Sequence, residues 1–148
     1  MDKDFKDYTV FTARILLGLI FTGAALTKIL DTASFAEIIK NYQILPEYLV
    51  NETAVFLPYL EYITGIMLLS GIFLKGAAVI SFGLLTAFTG SLIFNMSRGL
   101  NISCGCFTSV AEEVTNIHYI YYLARDFVFI YIAFYFTKNI FSKNKNQN

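Results

Sequence analysis

Four windows of about 20 apolar residues constrain this chain more than any other feature of its sequence. They run from about Val10 to Ile29, Ala54 to Leu74, Gly76 to Met96 and Ile117 to Phe136. A helix of about 20 apolar residues crosses the roughly 30 Å hydrocarbon core of a bilayer. Only 15% of the residues are charged, against about 25% in soluble domains. The sequence therefore predicts an all-α integral membrane four-helix bundle, formed as a single domain over residues 1–148.

The charge balance excludes one class of function. Lysines and arginines number 11, and aspartates and glutamates also number 11. Nucleic-acid binding requires a basic face or stripe. We therefore expect no nucleic-acid partner, and the lipid bilayer is the surface that these apolar windows contact.

The distribution of basic residues predicts how the bundle is oriented. In a four-span chain, both termini and the turn between the second and third spans lie on one side. That side collects six lysines, which are Lys3, Lys6, Lys75, Lys138, Lys143 and Lys145. The other side has only Lys40 and Arg98, with Lys28 at a helix end. Because cytoplasmic loops are rich in Lys and Arg, we expect a bacterial inner-membrane protein with cytoplasmic N and C termini.

Two loops are then periplasmic, from about Leu30 to Thr53 and from about Ser97 to Asn116. The first contains an amphipathic stretch, Ser34 to Lys40, whose pattern predicts a short helix on the membrane surface. Pro46 is expected to end it.

Charged residues within the apolar windows are expensive in lipid, so each needs a partner or a function. Lys28 lies near the outer end of the first span. Glu61 is predicted about 10 Å, and Arg125 and Asp126 about 12 Å, below the outer surface. Arg98 follows the third span. We expect at least one opposite-charge pair among Lys28, Glu61, Arg125 and Asp126, which either fixes helix packing or forms the floor of a site.

Glycines predict a close contact between the first two spans. Gly18 and Gly23 lie in the first, and Gly65 and Gly71 in the second. Small residues allow the backbones of membrane helices to approach each other.

Cys104 and Cys106 flank Gly105 in the second periplasmic loop. A disulfide between them would close a small, strained ring, and strain makes a disulfide easier to reduce. It would close almost no chain, so its contribution to stability would be small. This spacing favours an exchanging dithiol, and Arg98 could promote the thiolate.

The cysteines have two alternative interpretations, as small apolar residues or as ligands of a metal site with His118. A zinc site usually has four ligands, so we predict no metal.

Taken together, these pieces resemble the MauE family of methylamine-utilisation membrane proteins, within the broader DoxX-like group. The resemblance spans about Val10 to Phe136, and the matching pieces are Arg14, Leu17-Gly18, Gly23, Lys28, Tyr42, Leu45-Pro46, Leu57-Pro58, Glu61, Gly65, Leu69-Ser70-Gly71, Arg98-Gly99, Cys104-Gly105-Cys106-Phe107 and Arg125-Asp126. The family pattern usually has glycine where this chain has Thr108.

The resemblance implies a role in maturing a periplasmic enzyme subunit that needs disulfides, alongside a thioredoxin-like partner. The leading hypothesis is a thiol–disulfide relay that acts on this partner or on a disulfide-containing client. A membrane quinone is a candidate cofactor, for which Tyr119, Tyr121 and Tyr122 could line a pocket. The alternative is a non-catalytic assembly factor. A small-solute transporter is least favoured, because the chain has no internal repeat.

Overall fold

The computed structural model describes residues 2–99 and 116–145, with side chains described within 8–99 and, apart from residue 122, within 120–142. These parts of the chain form four long helices and one short helix. In chain order they are α1 (Asp2–Leu30), α2 (Thr32–Tyr42), α3 (Glu47–Ser70), α4 (Leu74–Ser97) and α5 (Asn116–Lys145).

The long helices form a closed ring in which each is antiparallel to its neighbours. Helix α1 packs most extensively on α3 and also contacts α5, while α4 contacts both α3 and α5. Along the α4–α5 interface, the Thr137 hydroxyl donates to the Ala78 carbonyl, and Phe82 lies 6.1 Å from Phe134 between ring centroids. Helices α1 and α4 therefore end, and α3 and α5 begin, at the end of the bundle that carries α2. We call this the α2 end.

The described part of the chain contains three helices that are long and apolar enough to cross a membrane, Tyr8–Leu30 of α1, Glu47–Ser70 and Leu74–Ser97. Helix α5 is longer still, but Arg125, Asp126 and several tyrosines make it more polar. Its Ala133 and Phe136 are nevertheless fully buried against the core residues Leu17, Leu68 and Leu85. The predicted helical membrane bundle is confirmed, and α5 is an integral part of it.

Large apolar side chains on the outside of the ring agree with a lipid environment. Every long helix exposes several of them, such as Leu19, Phe56, Val79 and Phe127. A soluble protein of this size would rarely leave so much apolar surface in contact with water.

The second span lies earlier in the chain than predicted. We expected about Ala54 to Leu74, whereas α3 begins at Glu47 and ends at Ser70. The first turns of a helix at a membrane interface can be polar, so a search for apolar windows does not detect these turns. At the other end, Gly71 adopts φ 82° and its N–H donates to the Met67 carbonyl. Such a left-handed residue ends a helix, and glycine takes this conformation at little cost.

The short helix α2 also differs from its prediction. Asp31 caps its start by accepting a hydrogen bond from the backbone N–H of Ser34, and the left-handed Gln43 ends it. Pro46 does not end α2 but precedes the first residue of α3. The apolar face of α2 packs on α3, where Phe35 and Ile39 meet residues including Val50. That face therefore contacts the protein rather than being free for the membrane surface.

Candidate functional site

A buried ion pair joins α1 to α3 inside the bundle. The Lys28 Nζ donates to both carboxylate oxygens of Glu61, at 2.7 and 2.8 Å. Each residue is only 1% exposed. Two short bonds to one carboxylate compensate part of the cost of removing both charges from water.

The glycines of α1 and α3 explain how these helices come close enough for this contact. A methyl group at Gly65 would lie 2.8 Å from the backbone nitrogen of Thr22, and one at Gly18 would lie 2.7 Å from the Leu69 side chain. The close approach predicted from the sequence thus occurs at Gly18 and Gly65. By contrast, a methyl group at Gly23 would meet nothing within 4 Å.

Two phenylalanines complete the environment of the ammonium group. The Lys28 Nζ lies 4.7 Å from the ring centroid of Phe88 on α4 and 5.1 Å from that of Phe35 on α2. Ring faces attract cations, more strongly where water is excluded. An ammonium has three N–H donors, and two of them bond Glu61, so aromatic faces are suitable neighbours for the third.

A second ion pair lies on α5, between neighbouring residues. The Arg125 Nε and Nη2 both donate to Asp126 Oδ1, at 3.1 and 2.8 Å. Both bonds use the same carboxylate oxygen. Asp126 is 4% exposed, and its Oδ2 is buried without a hydrogen-bond partner among the described residues.

All four charged residues line one small cavity of about 30 Å³, together with apolar side chains that include Leu85 and Phe88. The expected opposite-charge pairing is therefore found, in the form of two pairs. Helix α3 begins earlier than predicted, so Glu61 lies further from the start of its helix than our estimate assumed. Glu61 lies 14 residues after Glu47, which is about 21 Å along the helix axis. It pairs with Lys28 rather than with Arg125, which we had placed at a similar depth.

Arg98 is not part of this cavity. It is exposed just beyond α4, where its Nη2 donates to the Gln43 side-chain oxygen at 3.0 Å and its guanidinium lies 5.5 Å from the Phe94 ring centroid. This contact links the end of α4 to the corner between α2 and α3. Cys104 and Cys106 lie outside the described residues, and so does the predicted effect of Arg98 on them.

The helix ends on either side of the segment that contains Cys104 and Cys106 show where this segment is attached to the bundle. Gly99, the last described residue after α4, and Asn116, the first residue of α5, both belong to the α2 end. Residues 100–115 connect these two points.

A second, larger cavity lies between α2, α3 and α4. It measures about 220 Å³ and is mainly apolar, with the hydroxyl-bearing Tyr42, Thr53 and Ser91 on its wall. Phe35 and Phe88 also line it, so the rings that cover Lys28 separate this cavity from the ion pair.

Tyr121, which we considered for a quinone pocket, is 67% exposed. The side chains of Tyr119 and Tyr122 lie outside the described set.

Sequence reasoning missed Phe35 and Phe88 as parts of the site. The chain has 15 phenylalanines, and neither of these two stands out from the others in the sequence. Within the described residues, no group of three His, Cys, Asp or Glu side chains is close enough to hold a metal ion.

A ring of apolar helices that encloses two ion pairs defines a small multi-pass membrane protein with a polar centre. Comparison with known proteins is more specific: the family model for "Methylamine utilisation protein MauE" matches residues 6–138. The chain belongs to the MauE family.

Curated relatives agree with this assignment. The chain is 33% identical over 105 residues to the methylamine utilization protein MauE of Paracoccus denitrificans, covering 70% of this chain and 56% of that protein. It is 32% identical over 108 residues to the MauE protein of Methylophilus methylotrophus, covering 72% and 57%. The chain thus spans a little over half the length of the curated relatives it matches. No solved structure matches it.

Proposed function

We propose that this MauE-family protein is a thiol–disulfide relay of the bacterial inner membrane. In this proposal, Cys104 and Cys106 exchange with a periplasmic thioredoxin-like protein or with a disulfide-containing client. The observation that carries the proposal is the attachment of the Cys-Gly-Cys segment. The segment joins α4 to α5 at the α2 end, so the long helices hold both of its ends at one face of the bundle.

The exchange chemistry balances between the two proteins. A thiolate of the reduced partner attacks one sulfur of the Cys104–Cys106 disulfide and forms a mixed disulfide. The partner's second thiolate then attacks the partner sulfur of the mixed disulfide. This forms the partner's disulfide and releases the second cysteine of the chain as a thiolate. The partner loses two electrons and the chain gains them as two thiols. The opposite direction uses the same steps in reverse.

Repeated turnover in the oxidising direction needs an electron acceptor. We propose a membrane quinone, which takes two electrons and two protons to become a quinol while the cysteine pair returns to the disulfide. The apolar cavity between α2, α3 and α4 has a size and lining compatible with part of such a molecule, and its wall offers hydroxyl groups. The names of the relatives concern methylamine utilisation, and a periplasmic enzyme subunit with disulfides is the kind of client that we propose here.

Cysteine trapping tests the relay directly. We expect the Cys104→Ser or the Cys106→Ser variant to accumulate a mixed disulfide with a periplasmic protein, because the serine cannot resolve the intermediate. The adduct should be visible by non-reducing electrophoresis of the intact membrane fraction and should disappear on treatment with dithiothreitol. Mass spectrometry of the released partner would show whether it has a thioredoxin-like sequence.

The double variant, Cys104→Ser with Cys106→Ser, is the matched control. It should fold normally, because a bond between residues two apart closes almost no chain, and it should form no adduct. Client disulfides should remain unformed in this variant. Full client maturation with the double variant would contradict the relay and favour a non-catalytic assembly factor.

Membrane topology gives a separate prediction. If the α2 end faces the periplasm, a membrane-impermeant maleimide should label Cys104 or Cys106 in intact, reduced spheroplasts. A single cysteine introduced at exposed Lys75, in the cysteine-free background, should react only after the membrane is broken. The reverse pattern would invert the bundle and exclude a periplasmic partner.

A further inference from the structure

The cavity between the two ion pairs has features that the cysteine chemistry does not use. Asp126 Oδ1 accepts both hydrogen bonds from Arg125, whereas Oδ2 is buried and has no partner in the described part of the chain. A buried polar atom without a hydrogen bond costs about 1–3 kcal/mol, and more for a charged group. A further ligand or a proton at Oδ2 would remove this cost.

The cavity is large enough for a water molecule. Its volume is about 30 Å³, and a water needs roughly 10–15 Å³ by the same kind of measure. A buried water also needs two to four polar partners. Asp126 and Glu61 bring acceptor oxygens to the cavity, and Lys28 and Arg125 are the cations beside them. The wall is mainly apolar, so a water here would be held by the few charged groups that reach it, and the unpartnered Asp126 Oδ2 is the acceptor that such a water would satisfy.

The charges around Asp126 come from three helices. Lys28 belongs to α1, Glu61 to α3 and Arg125 to α5, while α4 contributes only the apolar Leu85 and Phe88 to the described lining. With all four groups ionised, their charges sum to zero. A proton added at Oδ2 leaves both Arg125 bonds to Oδ1 intact, so uptake does not require the ion pair to break.

We propose that this cavity is a proton-binding site, in which Asp126 takes up a proton through a water molecule held between the two ion pairs. A proton that reaches the cavity makes the water a hydronium ion; one of its O–H bonds breaks as an O–H bond forms at Oδ2, and a neutral water stays behind. The four groups then carry a net charge of +1. Inside a bilayer this charge is costly, so Oδ2 returns the proton to the cavity water, which restores the neutral set of charges. A site of this kind suits a reaction that moves protons within the membrane.

Infrared difference spectroscopy can detect this protonation in the full-length protein. The protein in lipid nanodiscs is titrated from neutral to acidic pH, and the C=O stretch of protonated carboxyl groups is recorded in H₂O and D₂O. We expect a band that shifts in D₂O and is lost in Asp126→Asn, whose side chain has nearly the same shape. The matched control is Asp31→Asn at the start of α2, which should keep the band.

Conservative changes around Asp126 keep the test decisive if Asp126→Asn does not fold. Arg125→Lys alters the donor to Oδ1, and Glu61→Gln alters the neighbouring carboxylate, so each should shift the frequency of the band. A band that persists unchanged in Asp126→Asn, or that neither conservative variant shifts, would overturn the proposal. The double cysteine variant should keep the band, because the inference does not depend on the relay. A relay that fails while the band remains would therefore refute only the proposed function.

Discussion

Replacing Glu61 by alanine should sharply lower the stability of the bundle and the yield of folded protein. The change leaves the Lys28 ammonium buried without its carboxylate, and removing one member of a buried ion pair costs about 3–5 kcal/mol. The rings of Phe35 and Phe88 already attract the ammonium in the natural protein, so they do not replace the lost carboxylate. Detergent-induced unfolding monitored by circular dichroism, with the monodisperse fraction from size-exclusion chromatography, would measure the effect.

Two further variants distinguish the loss of the ion pair from the effect of replacing any glutamate by alanine. Glu37→Ala changes an exposed glutamate of α2 and should alter stability by less than about 0.5 kcal/mol. The double variant Lys28→Met with Glu61→Leu removes both charges and keeps similar volumes, so it should recover most of the lost stability. Equal yields for Glu61→Ala and Glu37→Ala would show that the pair contributes little to folding.

Gly65→Ala should be the second strongly destabilising change. The new methyl group would lie 2.8 Å from the backbone nitrogen of Thr22 and 3.1 Å from the Gly18 carbonyl oxygen. Backbone atoms cannot rotate away as a side chain can, so α1 and α3 must separate. Overpacking typically costs about 1–3 kcal/mol, and the separation would also lengthen the Lys28–Glu61 contact. The same unfolding measurement would report the loss.

Gly23→Ala provides a matched control within α1. A methyl group at Gly23 meets nothing within 4 Å, and alanine is favoured over glycine inside a helix by roughly 0.5–1 kcal/mol. This variant should therefore be as stable as the natural chain or slightly more stable. If Gly65→Ala behaved like Gly23→Ala, the close approach of α1 and α3 would not limit the stability of the bundle.

The membrane class and the polar centre could be predicted from sequence because both follow from strong, local rules. Apolar windows must match the thickness of a bilayer. Charges inside such windows must find partners, which predicts at least one opposite-charge pair among Lys28, Glu61, Arg125 and Asp126. The small residues Gly18 and Gly65 similarly indicate which helix faces meet.

Other features depend on contacts that no local pattern encodes. The start of α3 at Glu47 was missed because its first turns are polar, and this error misplaced Glu61 relative to the start of its helix. The selection of Phe35 and Phe88 follows from how α2 and α4 are packed around Lys28. Asp126 Oδ2 has no partner among the described residues because Arg125 donates to Oδ1 alone, and no sequence pattern predicts which of the two oxygens an adjacent arginine contacts.

The two ion pairs also differ in when they can form during synthesis. Lys28 and Glu61 are separated by 33 residues, so at 5–20 residues per second the lysine emerges about 2–7 s before its partner. Until then α1 must keep its ammonium at the lipid headgroups or within the insertion machinery. Arg125 and Asp126 are adjacent and leave the ribosome together, so α5 enters the membrane with its charge already compensated. The charge of α1 is therefore neutralised only after α3 has arrived, whereas α5 needs no other helix to neutralise its charged pair.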